Sequence, residues 1–270
     1  MKEVKKKFGS WAIITGASSG IGKEFAYQFA ASKINLVLIA RRENLLEKLG
    51  DELKSKYDIE VIKLKLDLTE PSFIEKIDNE IVNLDIRLLI SNAGAAHMGK
   101  YSKIPLADLE SMAQLNVMAQ LKLSHWFSNR LIKSEVSGGM ILVSSTIAYQ
   151  GTPYAANYSA AKAYILNLGE ALNFELKDQN IAVSVLVPGP TDAPGLTERT
   201  DANMLESLPM KPQPVDQLVK EGLRALLKNK PSHIGGNVNR MMTRIMSMMM
   251  SRTKLSAFWG KKMEGMVYLK

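Results

Sequence analysis

The chain has 270 residues, 46% hydrophobic and 23% charged, with no cysteine and a formal net charge of +8. That length accommodates one sizeable α/β domain, and the balance of apolar and charged residues excludes a disordered or low-complexity chain. Without cysteine there are no disulfides or thiolate metal sites, and no apolar run reaches the roughly 18 to 20 residues of a membrane-spanning helix.

Met1 to Lys7 is basic, but the apolar run behind it, Trp11-Ala12-Ile13-Ile14, is too short for a signal peptide and reads as the first strand. Export is not expected, and the protein is placed in the cytoplasm. Further short apolar runs follow at 36–40, 61–66, 88–90, 140–144 and 183–187, separated by amphipathic segments. That alternation predicts parallel strands with right-handed helical crossovers: a single α/β domain with a doubly wound parallel sheet, the Rossmann fold, over residues 1–235.

The first turn reads Thr15-Gly16-Ala17-Ser18-Ser19-Gly20-Ile21-Gly22. Glycines at 16, 20 and 22 allow a tight turn and close backbone approach, and a helix opening near Gly20 offers free N–H groups to a phosphate. Ser18 and Ser19 either donate to that phosphate or cap the helix. At the end of the second strand, an acidic residue would bind the ribose 2′-hydroxyl of NAD, and an arginine accommodates the 2′-phosphate of NADP. The sequence there is Ala40-Arg41-Arg42, which predicts NADP(H), with Arg41, nearest the strand, as the expected phosphate ligand. An ordinary charged strand end is the alternative.

Asp67-Leu68 follows the third strand and Asn92-Ala93-Gly94 the fourth. Asn116 falls inside the amphipathic segment 107–131, where an Asn is unfavourable and wants a reason. His97, His125 and His233 lack ligand spacing, so no metal is expected. Ser145 sits where the strand at 140–144 delivers a hydroxyl to a loop. Tyr158 and Lys162, four apart, share one helical face and can meet at one substrate atom. An ammonium beside a phenol lowers the phenol's pKa, which suits general acid/base work. Pro188-Gly189-Pro190-Thr191 ends the last strand.

Taken in order, TGxxxGxG, Asn-Ala-Gly, Ser145 with Tyr158-x-x-x-Lys162, and Pro-Gly resemble the short-chain dehydrogenase/reductase family from about Ser10 to Gly189. The phrases GASSGIGKEFA and LVLIARR are similar to its branch acting on 3-oxoacyl thioesters and hydroxysteroids. The resemblance implies Asn116, Ser145, Tyr158 and Lys162 as the catalytic set. It places Asp67 and Leu68 beside adenine, Asn92, Ala93 and Gly94 against the cofactor, and Pro188 and Gly189 against the nicotinamide. Tyr158 and Lys162 would also contact the cofactor, and Asn116 would hold a water in a proton relay. The hydroxyl expected on the carboxamide usually falls where Ala193 stands, which leaves Thr191 as a candidate.

Residues from about 190 to 214 read as a substrate lid, lined by Leu196, Met204, Leu205, Leu208 and Met210. Residues 236–270 form a methionine-rich amphipathic extension: Val238, Met241, Met242, Ile245, Met248 and Met249 recur at helical spacing, followed by Leu255, Phe258, Trp259, Met263 and Met266. Packing on the body or on a dimer mate is the expected use of that face. Peripheral membrane contact or a cover over an acyl chain remains open.

The predicted function is NADPH-dependent reduction of an apolar ketone or 3-oxoacyl carbonyl, in a homodimer or homotetramer. A regulatory NADPH-binding protein and a membrane-surface lipid reductase are the alternatives. The lysines are scattered and carry no nucleic-acid-binding motif, so nucleic acid is not an expected partner.

Overall fold

The computed structural model describes residues 2–192 and 212–267. Its centre is a parallel sheet of β1 (Trp11–Thr15), β2 (Asn35–Ala40), β3 (Val61–Lys65), β4 (Ile86–Ser91), β5 (Gly138–Val143), β6 (Ile181–Val187) and β9 (Ser232–Ile234), in the order β3-β2-β1-β4-β5-β6-β9. The order reverses between β1 and β4, the crevice where such sheets receive ligands. A separate two-residue pairing joins β7 (Thr191–Asp192) to β8 (Gln213–Pro214).

The central strands β1, β2 and β5 read as apolar runs because both faces are covered, whereas the edge strand β3 alternates with lysines. Ala12, Ile14, Leu36 and Leu38 turn toward one layer; Ile13, Val37 and Ile39 turn toward the other. The first layer holds α1 (Lys2–Phe8), α2 (Gly20–Ala30), α3 (Glu43–Tyr57) and α8 (Val215–Leu227), through Phe8, Phe25, Phe29, Leu49 and Leu223. The second holds α4 (Phe73–Ile81), α6 (Ala119–Lys133) and α7 (Ala156–Glu175), through Phe73, Ile77, Phe127 and Ile165. Each such side chain stabilises the fold by about 1.5–3 kcal/mol of transfer free energy.

The six expected strands are present. The seventh, β9, has three residues, too few to carry a period, and pairs with β6. The basic N-terminus is a helix: Val4 and Phe8 are buried beneath its lysines, Phe8 against Gly139 of β5. The segment around Asn116 is one helical rod, α5 (Leu106–Ala113) running into α6, interrupted by a π-helical turn over Gln114–Met118.

The extension is two helices, α9 (Asn237–Met249) and α10 (Arg252–Val267). Leu255 and Met263 of α10 are buried, as expected of a packed helix. The α9 stripe does not pack on the body: Val238, Met241, Ile245, Met248 and Met249 are exposed, and the inward side carries Asn239 with Met242, Thr243 and Met246. Most of the expected lid, with its five lining residues, lies outside the described residues, as does Ala193; Met266 falls where side chains are not described. Among the described residues no helix is long and apolar enough to cross a membrane, and no side-chain cluster suits a metal.

Candidate functional site

The loops at the carboxyl ends of β1, β2, β4, β5 and β6 carry Ser18, Ser19, Arg41, Arg42, Asn92, Ser145 and Thr191, Asp67 follows β3, and helices bring in Asn116, Tyr158 and Lys162. After β1 the chain turns through Gly16, with φ +67°, and Gly20, with φ +60°. A Cβ on Gly16 would lie 2.8 Å from Asn92 Nδ2, and one on Gly22 would lie 2.4 Å from the Gly16 carbonyl oxygen. The turn therefore excludes side chains at both positions and leaves its backbone open to a ligand. Ser19 precedes α2 in an extended conformation and makes no side-chain cap bond, so its hydroxyl does not take up the first N–H groups of that helix. Ile21 is part-buried against the core and lines the same cleft as Gly16, Ser18, Ser19 and Gly20.

Instead of capping, the serines meet Arg42. Its Nη2 donates to Ser18 Oγ at 2.9 Å and Ser19 Oγ at 2.5 Å, and its Nε donates to Ser18 Oγ at 3.3 Å. Arg41, the expected phosphate ligand, has Nη1 3.6 Å from Asp67 Oδ2. Burial pushes the Asp67 carboxyl up, but the Thr69 backbone N–H and hydroxyl, with Arg41, outweigh it and hold the group below the usual range. The guanidinium over the glycine turn is thus that of Arg42. Ala40 is buried at the strand end, and Leu66 and Leu68 wall the cleft.

The loop after β4 is tied to the first turn. Thr15 Oγ1 accepts the backbone N–H groups of Asn92, at 2.9 Å, and Ala93, at 3.0 Å, and Asn92 Nδ2 donates to the Thr15 carbonyl at 3.0 Å. Asn116 clamps the next residue from both sides: Oδ1 accepts from Ala95 N at 2.9 Å and Nδ2 donates to Ala95 O at 2.7 Å. The π turn aims that amide inward, a common use of such bulges at functional sites. The clamp gives this buried mid-helix amide its partners. A Cβ on Gly94 would lie 2.9 Å from Asn116 Oδ1 and 3.5 Å from Lys162 Nζ, so Gly94 joins the two groups across a space with no room for a side chain.

After β5, Ser145 caps a short 3₁₀ turn, accepting from the Ile147 N–H at 3.4 Å, and its side chain is near enough to the Tyr158 phenol to favour the phenolate. Lys162 is 5% exposed and donates to the Val143 carbonyl at 2.9 Å; its Nζ lies 5.7 Å from the Tyr158 ring centroid. Ser144 Oγ donates to the Lys162 carbonyl at 2.7 Å and fixes α7 on β5.

The expected lowering of the phenol by its lysine is not what dominates. Burial pushes Tyr158 up to about 12, only partly opposed by the Ser145 side chain, and burial takes Lys162 down to about 8. Both groups are held toward their neutral forms because desolvation penalises either charge.

Pro188 ties the β6 loop to this cluster, its carbonyl accepting the Thr146 N–H at 2.8 Å. Thr191 is buried and its hydroxyl donates to the Gly189 carbonyl at 2.9 Å. Gly189 faces α9, where its Cβ would meet Asn239 Nδ2 at 2.4 Å. Asn239 is absent from the sequence reading, as are the roles of Thr15 and Ser144. Thr15 stands inside the glycine motif and could have been noticed; Asn239 lies between Val238 and Arg240 with no motif around it, and its burial against Gly189 reveals it.

A glycine turn at a helix N-terminus, two arginines beside it and a hydroxyl, phenol and ammonium beyond it fit a nicotinamide dinucleotide laid across the carboxyl edge of the sheet. Fold and site together define a nucleotide-binding α/β oxidoreductase of the class that interconverts alcohols and carbonyls. Residues 10–204 match the family described as short chain dehydrogenase, and the chain belongs to that family. It is 32% identical over 238 residues to a 7beta-hydroxysteroid dehydrogenase of Mediterraneibacter gnavus, covering 88% of this chain and 90% of that one. A solved 7beta-hydroxysteroid dehydrogenase superposes with a TM-score of 0.86 at 26% identity, over 95% of this chain and 98% of the other. A short-chain dehydrogenase from Sphingobium yanoikuyae in complex with NADPH superposes with a TM-score of 0.76 at 28% identity, over 88% and 94%.

Proposed function

We propose that the protein is an NADPH-dependent reductase converting a bulky apolar ketone or 3-oxoacyl carbonyl to a secondary alcohol, with Tyr158 as general acid. The observation that carries this reading is the convergence of Ser145, Tyr158, Lys162 and the Asn116 clamp beside the glycine turn. The nicotinamide cofactor, when bound, supplies the hydride.

Preference for NADPH rests on Ala40 standing where an acid would select NAD, and on Arg42 held over Ser18 and Ser19 with Arg41 alongside. Gly16, Gly20, Ile21 and Gly22 would hold the pyrophosphate, and Asp67, Leu68, Asn92, Ala93 and Gly94 would line the adenosine and ribose. Tyr158 and Lys162 would hold the second ribose, and Pro188, Gly189 and Thr191 would back the nicotinamide.

A phenol raised to about 12 is protonated at neutral pH, the state a general acid needs. Ser145 orients the phenol and donates to the substrate oxygen, which Tyr158 protonates. Lys162, down to about 8, keeps most of its charge near neutrality and favours release of the phenolic proton. Asn116 keeps Gly94 and Ala95 in place around that ammonium.

A steroid-sized ketone is supported by the 7beta-hydroxysteroid dehydrogenase relative, which matches nearly the whole chain. The reading includes a homodimer or homotetramer and a peripheral membrane contact through the C-terminal helices. Tyr158→Phe tests the centre of it. Turnover of NADPH with a ketone should fall by roughly 10² or more while NADPH binding stays nearly intact, Lys162 still holding the ribose; normal turnover would remove Tyr158 from the reaction.

A further inference from the structure

The exposed stripe on α9 is unusual because a helix on a globular body normally presents polar residues outward. Here the outward residues are Val238 (58% exposed), Met241 (56%), Ile245 (45%), Met248 (86%) and Met249 (80%). Four of them, at 238, 241, 245 and 248, recur at the three- and four-residue steps of a single helical edge. Phe258 of α10 is also exposed, 46%, stacked edge-on against Trp259.

Charge accompanies this apolar surface. Residues 237–267 hold six lysines and arginines against one acid, Glu264, a net charge of +5, and the other 239 residues share the remaining +3. A symmetric contact between two copies through this surface would bring two such segments together and set like charge against like. An anionic lipid surface satisfies both the apolar stripe and the charge.

The other side of the same two helices reaches the proposed reaction site. Asn239 of α9 is 4% exposed and abuts Gly189. Gly260 of α10 lies against Pro153, and Tyr154 donates its hydroxyl to Glu264 Oε1 at 3.1 Å. Pro153 and Tyr154 belong to the loop between Ser145 and Tyr158.

We infer that α9 lies in the plane of an anionic lipid leaflet, with Val238, Met241, Ile245, Met248 and Met249 in its apolar boundary, and holds the reaction site against the membrane. This deepens the membrane contact of the proposed reading and rests on that reading only for what the site does there. An apolar ketone dissolved in the leaflet would then reach the site across about one helix diameter, roughly 10 Å, without crossing bulk water.

The test is flotation of the full chain with phosphatidylcholine vesicles, with and without phosphatidylserine, in low and high salt. Binding should require phosphatidylserine, weaken in high salt, and fall by about tenfold or more in Ile245→Asp/Met248→Asp. That variant should keep NADPH affinity, turnover of a water-soluble ketone and elution volume in gel filtration.

Absence of binding, equal binding to both vesicle types, or wild-type binding by the variant would overturn the inference. So would a shift of the variant to a smaller oligomer, which would assign the stripe to a second copy. Flotation needs no substrate, so an inactive protein that still floats would refute the reductase reading and leave this one standing.

Discussion

Lys162 offers a sharp test because its burial makes its charge costly to the fold. The ammonium is 5% exposed, and its pKa falls from 10.5 to about 8 through desolvation. The unfolded chain therefore binds the proton more tightly than the folded one. Below the folded pKa the full cost applies, about 3 kcal/mol from a shift of that size. As pH rises from about 8 toward 10.5, the folded group discharges first and stability recovers.

Replacing Lys162 by Met keeps the stem and removes the charge. It also removes the donor to the Val143 carbonyl, which costs about 1 kcal/mol. The net gain near neutrality is about 2 kcal/mol, or about 4–8 °C in Tm for a chain of this size. Thermal unfolding followed by circular dichroism at a series of pH values reads it directly. Lys162→Met should be the more stable protein near pH 7, its advantage should shrink as pH approaches about 10, and turnover should be lost. A variant less stable near neutrality, or a difference that does not change with pH, would refute the reasoning.

Two further outcomes probe the cofactor cradle. Arg42→Ala should weaken NADPH more than Arg41→Ala does, and neither should much change NADH, because Arg42 bonds Ser18 and Ser19 and Arg41 faces Asp67; titration of both cofactors by fluorescence decides it. Gly22→Ala forces a Cβ to 2.4 Å from the Gly16 carbonyl, so cofactor affinity should fall by roughly tenfold or more, with a lower Tm; an alanine variant of ordinary affinity would show that the turn can yield.

Much of the site was legible because its chemistry is local. Tyr158 and Lys162 are one helical turn apart, and Gly16, Gly20 and Gly22 are one tight turn, so spacing alone places them together. Which arginine covers the serines was not legible: Arg41 and Arg42 are neighbours in sequence, and their division of labour depends on Asp67 and Thr69, brought alongside from the end of β3. Nor were the partners of Asn116, which depend on a π turn and on the backbone of Ala95.

The sequence by itself determined six of the seven strands, the order of their loops and the residue types at the proposed reaction centre, because periodicity and short spacings record contacts made within a few residues. Tertiary structure decided the electrostatics of that centre and the orientation of the tail. Burial, which no spacing encodes, drives both Tyr158 and Lys162 toward neutrality. The same helical period that marks a core-facing helix marks an outward one, and the structure seats Asn239 against Gly189 while Met241, Met248 and Met249 of α9 face away from the body.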